Sequence, residues 1–130
     1  MSVLDRLAKV ALIVEAAQER KADDVVGLDV RKISSFADTF IIATGTSDRH
    51  VRSVTDSIEA TLKAHGDAPM GIEGYDEGRW VLVDCGDTIV HIFQQEIRDH
   101  YDLERLWSDA PKLDLHIEED DPGNGRTLAR

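Results

Sequence analysis

Trp80-Val81-Leu82-Val83-Asp84-Cys85-Gly86-Asp87-Thr88-Ile89-Val90-His91-Ile92-Phe93 holds two β-rich runs joined at Gly86-Asp87. A two-residue Gly-Asp link suits a tight turn, so the spacing predicts a β-hairpin. Its strands must be antiparallel, which excludes a purely parallel, doubly wound sheet.

Upstream, Thr39-Phe40-Ile41-Ile42-Ala43-Thr44 is a continuous apolar run, the pattern of a central strand covered on both faces. Val25-Val26-Gly27-Leu28-Asp29-Val30 reads as a shorter strand, and Arg31-Lys32-Ile33-Ser34-Ser35 as a turn. Residues 67–78 are punctuated by glycine and proline, leaving room for a short strand at Gly71-Ile72-Glu73. Three helices complete the chain. Ser2 is a candidate N-cap for the first, with Asp5 near its positive end and Val3, Leu7, Val10, Val14 and Ala17 as its buried stripe. The second begins at Ser47 or Asp48, buries Val51, Val54, Ile58 and Leu62, and stops at Gly66. The third spans residues 94–109, with Ile97, Tyr101, Leu103, Leu106 and Trp107 as packing residues. The expected fold is α/β, a mixed sheet of about five strands flanked by helices.

The chain has 130 residues, which suits one domain. Residues 1–111 are read as that domain. Residues 112–130 are read as an acidic, disordered tail, because Glu118-Glu119-Asp120-Asp121-Pro122-Gly123 has almost nothing to bury. The formal net charge is −11, and residues 1–111 alone carry 12 basic and 21 acidic groups. Such a field disfavours phosphate backbones and anionic membranes, and it favours a cationic protein partner. A single cysteine, Cys85, precludes an internal disulfide and fits a reducing compartment. The N-terminus lacks the basic-then-apolar layout of a signal peptide, so the expected location is cytoplasmic.

Gly45-Thr46-Ser47-Asp48-Arg49-His50 is the best catalytic candidate, a strand and glycine turn leading into a helix N-terminus. Nucleotidyl transfer would also need two carboxylates one residue apart on a neighbouring strand, to hold two metal ions. On the first hairpin strand they would stand at 82 and 84, but position 82 is Leu82. The five histidines show no metal-ligand spacing, and His91 with Asp84 makes too small a set for a metal or a triad. Asp84 and Asp87 beside Cys85 should raise its pKa. No catalytic residue, metal or cofactor is expected. The rival reading is a nucleotide-binding or nucleotidyltransferase-like enzyme using the turn at residues 45–50.

Four segments together resemble the ribosomal silencing factor family, also called Iojap. They are residues 29–35; Asp38-Thr39-Phe40-Ile41-Ile42-Ala43-Thr44-Gly45-Thr46-Ser47-Asp48-Arg49-His50-Val51; Gly71-Ile72-Glu73-Gly74; and the hairpin running on to Trp107. The resemblance spans roughly residues 3–110 and leaves the tail outside it. It implies a nucleotidyltransferase-like fold that is catalytically degenerate, in agreement with Leu82. It also implies binding to the 50S large ribosomal subunit through large-subunit ribosomal protein fourteen, with a bound factor that sterically blocks small-subunit joining under nutrient limitation. Contact would be protein to protein, with little direct nucleic-acid binding and no membrane.

On that reading Trp80 belongs to the docking surface, against the alternative of core packing. Glu73, Tyr75 and Asp84 offer acceptors to Arg or Lys of the partner. His91 and Gln94 lie on or just past the paired strand. Tyr101 is the next aromatic candidate, although its spacing from Ile97 also suits the core. Trp107 is assigned to core or helix closure. A homodimer through the hairpin is compatible with this surface.

Overall fold

A computed structural model describes residues 5–101, 105, 108, 110–113 and 115. Its elements are α1 (Arg6–Glu19), β1 (Asp23–Asp29), β2 (Thr39–Gly45), α2 (Asp48–Ala64), β3 (Gly71–Glu73), β4 (Trp80–Asp84), β5 (Thr88–Gln94) and α3 (Gln95–Tyr101). The five strands form one mixed sheet in the order β1-β2-β5-β4-β3. The expected α/β architecture is therefore present. β4 and β5 pair antiparallel, with Asp84 opposite Ile89, and Cys85 N–H donates to the Thr88 carbonyl at 2.9 Å. Gly86-Asp87 is thus the hairpin turn, with Gly86 at φ 87°. β2 and β5 are parallel neighbours, and the crossover between them carries α2, β3 and β4.

The run in β2 reads apolar throughout because both faces are covered. Ile41 and Ala43 join Val81, Val83, Val90, Ile92 and the helix residues Val10, Ile13, Val14, Val51, Val54, Ile58 and Leu62 in one core. The alternate residue Ile42 joins Leu28, Val30, Ile89 and Phe93 in a second core on the opposite face. Each fully buried side chain of this size stabilises the fold by about 1.5–3 kcal/mol.

The first helix differs from expectation. Asp5 is its N-cap and accepts from Ala8 N–H at 2.8 Å, whereas Ser2 and Val3 lie outside the described residues. Leu7 is 61% exposed, while Lys9 is buried. The helix is rotated from the expected stripe because Lys9 has its own destination. Its ammonium donates to the Cys85 carbonyl at 2.9 Å and pairs with Asp67 at 3.2 Å and Asp87 at 3.5 Å. This charge ties α1 to the hairpin turn and to the loop after α2.

Order also continues beyond Pro111, contrary to the expectation that it stops there. The Pro111 carbonyl accepts from Asp29 N–H at 2.8 Å, Lys112 bridges Leu28, and Leu113 N–H donates to the Gly27 carbonyl at 2.8 Å. The outer edge of β1 is thereby partly paired, which satisfies backbone groups that an open edge leaves exposed. The expected packing residues Leu103, Leu106 and Trp107, and the acidic run at 118–121, lie outside the described residues.

Candidate functional site

The two regions that sequence reasoning singled out are the turn after β2 and the β3-β4-β5 face. At the turn, Ser47 caps α2, its hydroxyl accepting from His50 N–H at 3.0 Å. Thr46 N–H donates to His50 Nδ1 at 2.8 Å, which leaves Nε2 to donate to the Arg20 carbonyl at 2.7 Å. Gly45 is required by close approach, since a Cβ there would stand 2.7 Å from Val51 Cγ2. The backbone N–H groups of Thr46 and His50, two of those an anion would use, are thus already engaged by the turn's own side chains. Leu82 sits in the middle of β4, directly opposite His91 and Glu73, where a carboxylate would be needed. Among the described residues there is no group of three or more His, Cys, Asp or Glu side chains arranged to hold a metal. Burial, with a smaller contribution from Asp84, Asp67 and Asp87 acting against Lys9, pushes the Cys85 thiol up to about 12.

On the sheet, side chains alternate between faces, and register decides which residues meet. One row across the sheet reads Glu73, Leu82, His91 and Ile42; the next reads Asp84, Ile89 and Phe40; a third places Trp80 beside Phe93. Trp80, Asp84, Glu73 and His91 therefore share the face opposite α1 and α2. Tyr101 joins them from α3, its ring centroid 5.7 Å from that of Trp80. Tyr101 is 51% exposed, so its alternative as a core residue is not what the structure shows. Arg98 explains its placement: its guanidinium bonds the Asp24 carbonyl and the Thr44 hydroxyl and lies 5.9 Å from the Phe93 ring centroid. This clamp seats α3 across the sheet, and Tyr101 emerges one turn later.

Two expected site residues lie elsewhere. Tyr75 turns to α2, donating its hydroxyl to Asp56 at 2.8 Å. Gln94, the last residue of β5, donates to Asp48 at 2.5 Å and to the Gly78 carbonyl at 3.1 Å, beside the start of α2. Sequence reasoning also missed Phe40 and Leu82 as half-buried members of the same face. For Leu82 the signal was available in the period-two alternation of β4, where Trp80, Leu82 and Asp84 must point one way.

Trp80 is half-buried. Its indole packs against Phe93 at 5.6 Å, nearly edge-on, and its Nε1–H donates to His91 Nδ1 at 3.2 Å. His91 thus has Trp80 as a hydrogen-bond partner; Asp84 is diagonal to it, opposite Ile89. Phe40 closes on the imidazole edge-on at 5.2 Å. Burial holds the His91 pKa down at about 4, against an ordinary 6.5.

That depression makes stability depend on pH. Unfolding raises the His91 pKa, so the unfolded chain binds the extra proton between the two values. The contribution is complete above pH 6.5 and is lost as pH falls toward the folded value. Urea unfolding should give about 2 kcal/mol less stability from this group at pH 5 than at pH 7. His91→Gln should flatten that slope; an unchanged slope in the variant would assign it to other groups.

The matches to known proteins cover most of the chain. A family model described as ribosomal silencing factor during starvation matches residues 4–129, so the match runs past Pro111 into the segment expected to fall outside it. The ribosomal silencing factor RsfS of Bacillus subtilis is 43% identical over 100 residues, covering 77% of this chain and 85% of that protein. A mouse protein named for mitochondrial assembly of the ribosomal large subunit is 31% identical over 100 residues, covering 75% of this chain and 44% of its own length. A crystal structure of a Chromobacterium violaceum protein superposes with a TM-score of 0.78 at 38% identity, covering 81% of this chain and 88% of that one.

Proposed function

The chain belongs to the ribosomal silencing factor family, and on that premise we propose that it represses translation by occupancy alone. It docks on the large ribosomal subunit through large-subunit ribosomal protein fourteen and sterically blocks joining of the small subunit when nutrients are scarce. It does so in the cytoplasm, without catalysis.

The observation that carries this reading is the sheet face bearing Trp80 and Tyr101. Two aromatic rings stand side by side, Tyr101 half-exposed, with the exposed Glu73 and the half-buried Asp84 on the same face. Aromatic anchors within a polar rim are the usual make-up of a protein-binding hot spot. Carboxylates at that rim suit Arg and Lys of a basic ribosomal protein, and the net charge of −11 steers the approach. The same charge disfavours contact with the surrounding RNA phosphates. Tyr75 and Gln94 are left out of this docking set, since both are engaged at α2.

Leu82 at the position of the needed carboxylate supports the absence of catalysis, as does the engagement of the Thr46 and His50 N–H groups within their own turn. Sedimentation with separated ribosomal subunits tests the proposal. The chain should travel with large subunits and not with small ones, and preloading should reduce formation of joined ribosomes. Binding to small subunits alone would overturn it.

A further inference from the structure

We propose that His91 is a positioning residue for docking, fixing by one hydrogen bond the orientation in which Trp80 is presented to the large subunit. This inference rests on the docking reading above and adds to it a role that is distinct from contact with the partner.

The argument begins with what β5 requires. Thr88, Ile89, Val90, Ile92 and Phe93 are all buried, and an aliphatic side chain at position 91 would pack between Leu82 and Ile42 with no polar atom to satisfy. An imidazole there loses hydration on burial and remains neutral, as its pKa of about 4 records. What it supplies instead is an acceptor. His91 is only 6% exposed, too little for a direct anchor, but its Nδ1 lies 3.2 Å from the indole Nε1.

Among the described residues, Trp80 has two other aromatic neighbours, Phe93 at 5.6 Å and Tyr101 at 5.7 Å. Ring contacts of this kind are broad in angle and tolerate sliding or rotation of the indole. A hydrogen bond to the single indole N–H is directional, so it decides which edge of the ring turns inward. Phe40, edge-on to the imidazole at 5.2 Å, holds the acceptor in turn. A pre-set anchor lowers the ordering cost of binding, so losing the bond should weaken docking even where the sheet stays folded.

The test pairs a spectroscopic signature in the free chain with affinity for purified large subunits. The Trp80 indole resonance in nitrogen-15-labelled protein is assigned by its disappearance in Trp80→Phe. It should exchange its proton more slowly than an exposed indole. His91→Phe keeps a ring and removes the acceptor; it should shift the resonance, speed exchange and weaken binding about three- to tenfold. His91→Gln keeps an acceptor and should recover part of both effects. A folded His91→Phe that binds with native affinity would overturn the proposal. So would a native indole that exchanges as fast as an exposed one, a measurement that holds even where His91→Phe fails to fold. A native chain that does not bind large subunits sinks the docking reading itself, whereas native binding with an unprotected indole sinks only the role of His91.

Discussion

Trp80→Ala should weaken binding to the large ribosomal subunit by roughly 30-fold or more while leaving a folded, monodisperse domain. The size follows from the position of the indole. It is half-buried in the free chain, flanked by Phe93 and Tyr101, and lies on the same face as Asp84 and Glu73. Truncating a central tryptophan anchor typically removes at least about 2 kcal/mol of binding free energy. The fold should lose less, about 1–2 kcal/mol, because only part of the ring is withdrawn from water on folding. Val81 and Val83 lie in the core on the opposite face of the sheet and keep their burial when the indole goes. A melting curve alongside the sedimentation assay separates the two effects. Glu73→Gln, at the exposed end of the neighbouring row, is the informative partner variant. It should slow association by a few-fold, and that loss should shrink as salt rises, since a rim charge acts mainly through steering. Equal loss in both variants at all salt concentrations would mean that charge, and not the aromatic anchor, carries docking. Undiminished binding by folded Trp80→Ala would remove this face from the interface altogether.

The elements that sequence made legible are those whose signals are local. The Gly86-Asp87 turn imposes antiparallel pairing on its two flanking runs, and the apolar run in β2 can be satisfied only by cover on both faces. The α2 stripe at Val51, Val54, Ile58 and Leu62 keeps helical spacing, and its cap at Ser47 is where the serine stands. Long-range placement was harder to read. Lys9 goes inside because Asp67, Asp87 and the Cys85 carbonyl, all distant in sequence, converge on it. Its burial turns Leu7 outward. Residue 111 reads as the end of the domain because the acidic run beyond it has almost nothing to bury, yet the Pro111 carbonyl accepts from Asp29 at the edge of β1. At the site, alternation alone could have grouped Trp80, Leu82 and Asp84, but Glu73 and His91 joined them only once the register was known. Tyr75 was nominated as an acceptor in the loop after β3, and Gln94 as lying on or just past the paired strand. Their hydrogen bonds show that nearness along the chain does not settle the face.

The largest loss of stability from a single added carbon is expected at Gly74. This residue sits at φ 81°, in the left-handed region, and a Cβ there would overlap the Trp80 carbonyl oxygen. Its own carbonyl accepts from Gly78 N–H at 3.1 Å, closing the loop that delivers the chain into β4. Gly74→Ala therefore meets two costs together. The backbone conformation alone disfavours an L side chain by about 1–2 kcal/mol. The overlap is with backbone, so relief requires moving β3 away from β4 or giving up the φ angle, and the total should reach roughly 3 kcal/mol or more. For a domain of this size that corresponds to a fall in melting temperature of about 10 °C. Gly71→Ala, at the start of the strand that Gly74 follows, is the matched control, because nothing lies within 4 Å of a Cβ built there. It should melt within about 2 °C of the parent. Since the oxygen that Gly74 accommodates belongs to Trp80, relief by strand movement would also displace the indole, so docking should weaken at temperatures where the variant is still folded. Native melting with native docking in Gly74→Ala would mean that the turn relaxes freely, and the β3–β4 connection could then not be what holds Trp80 in place.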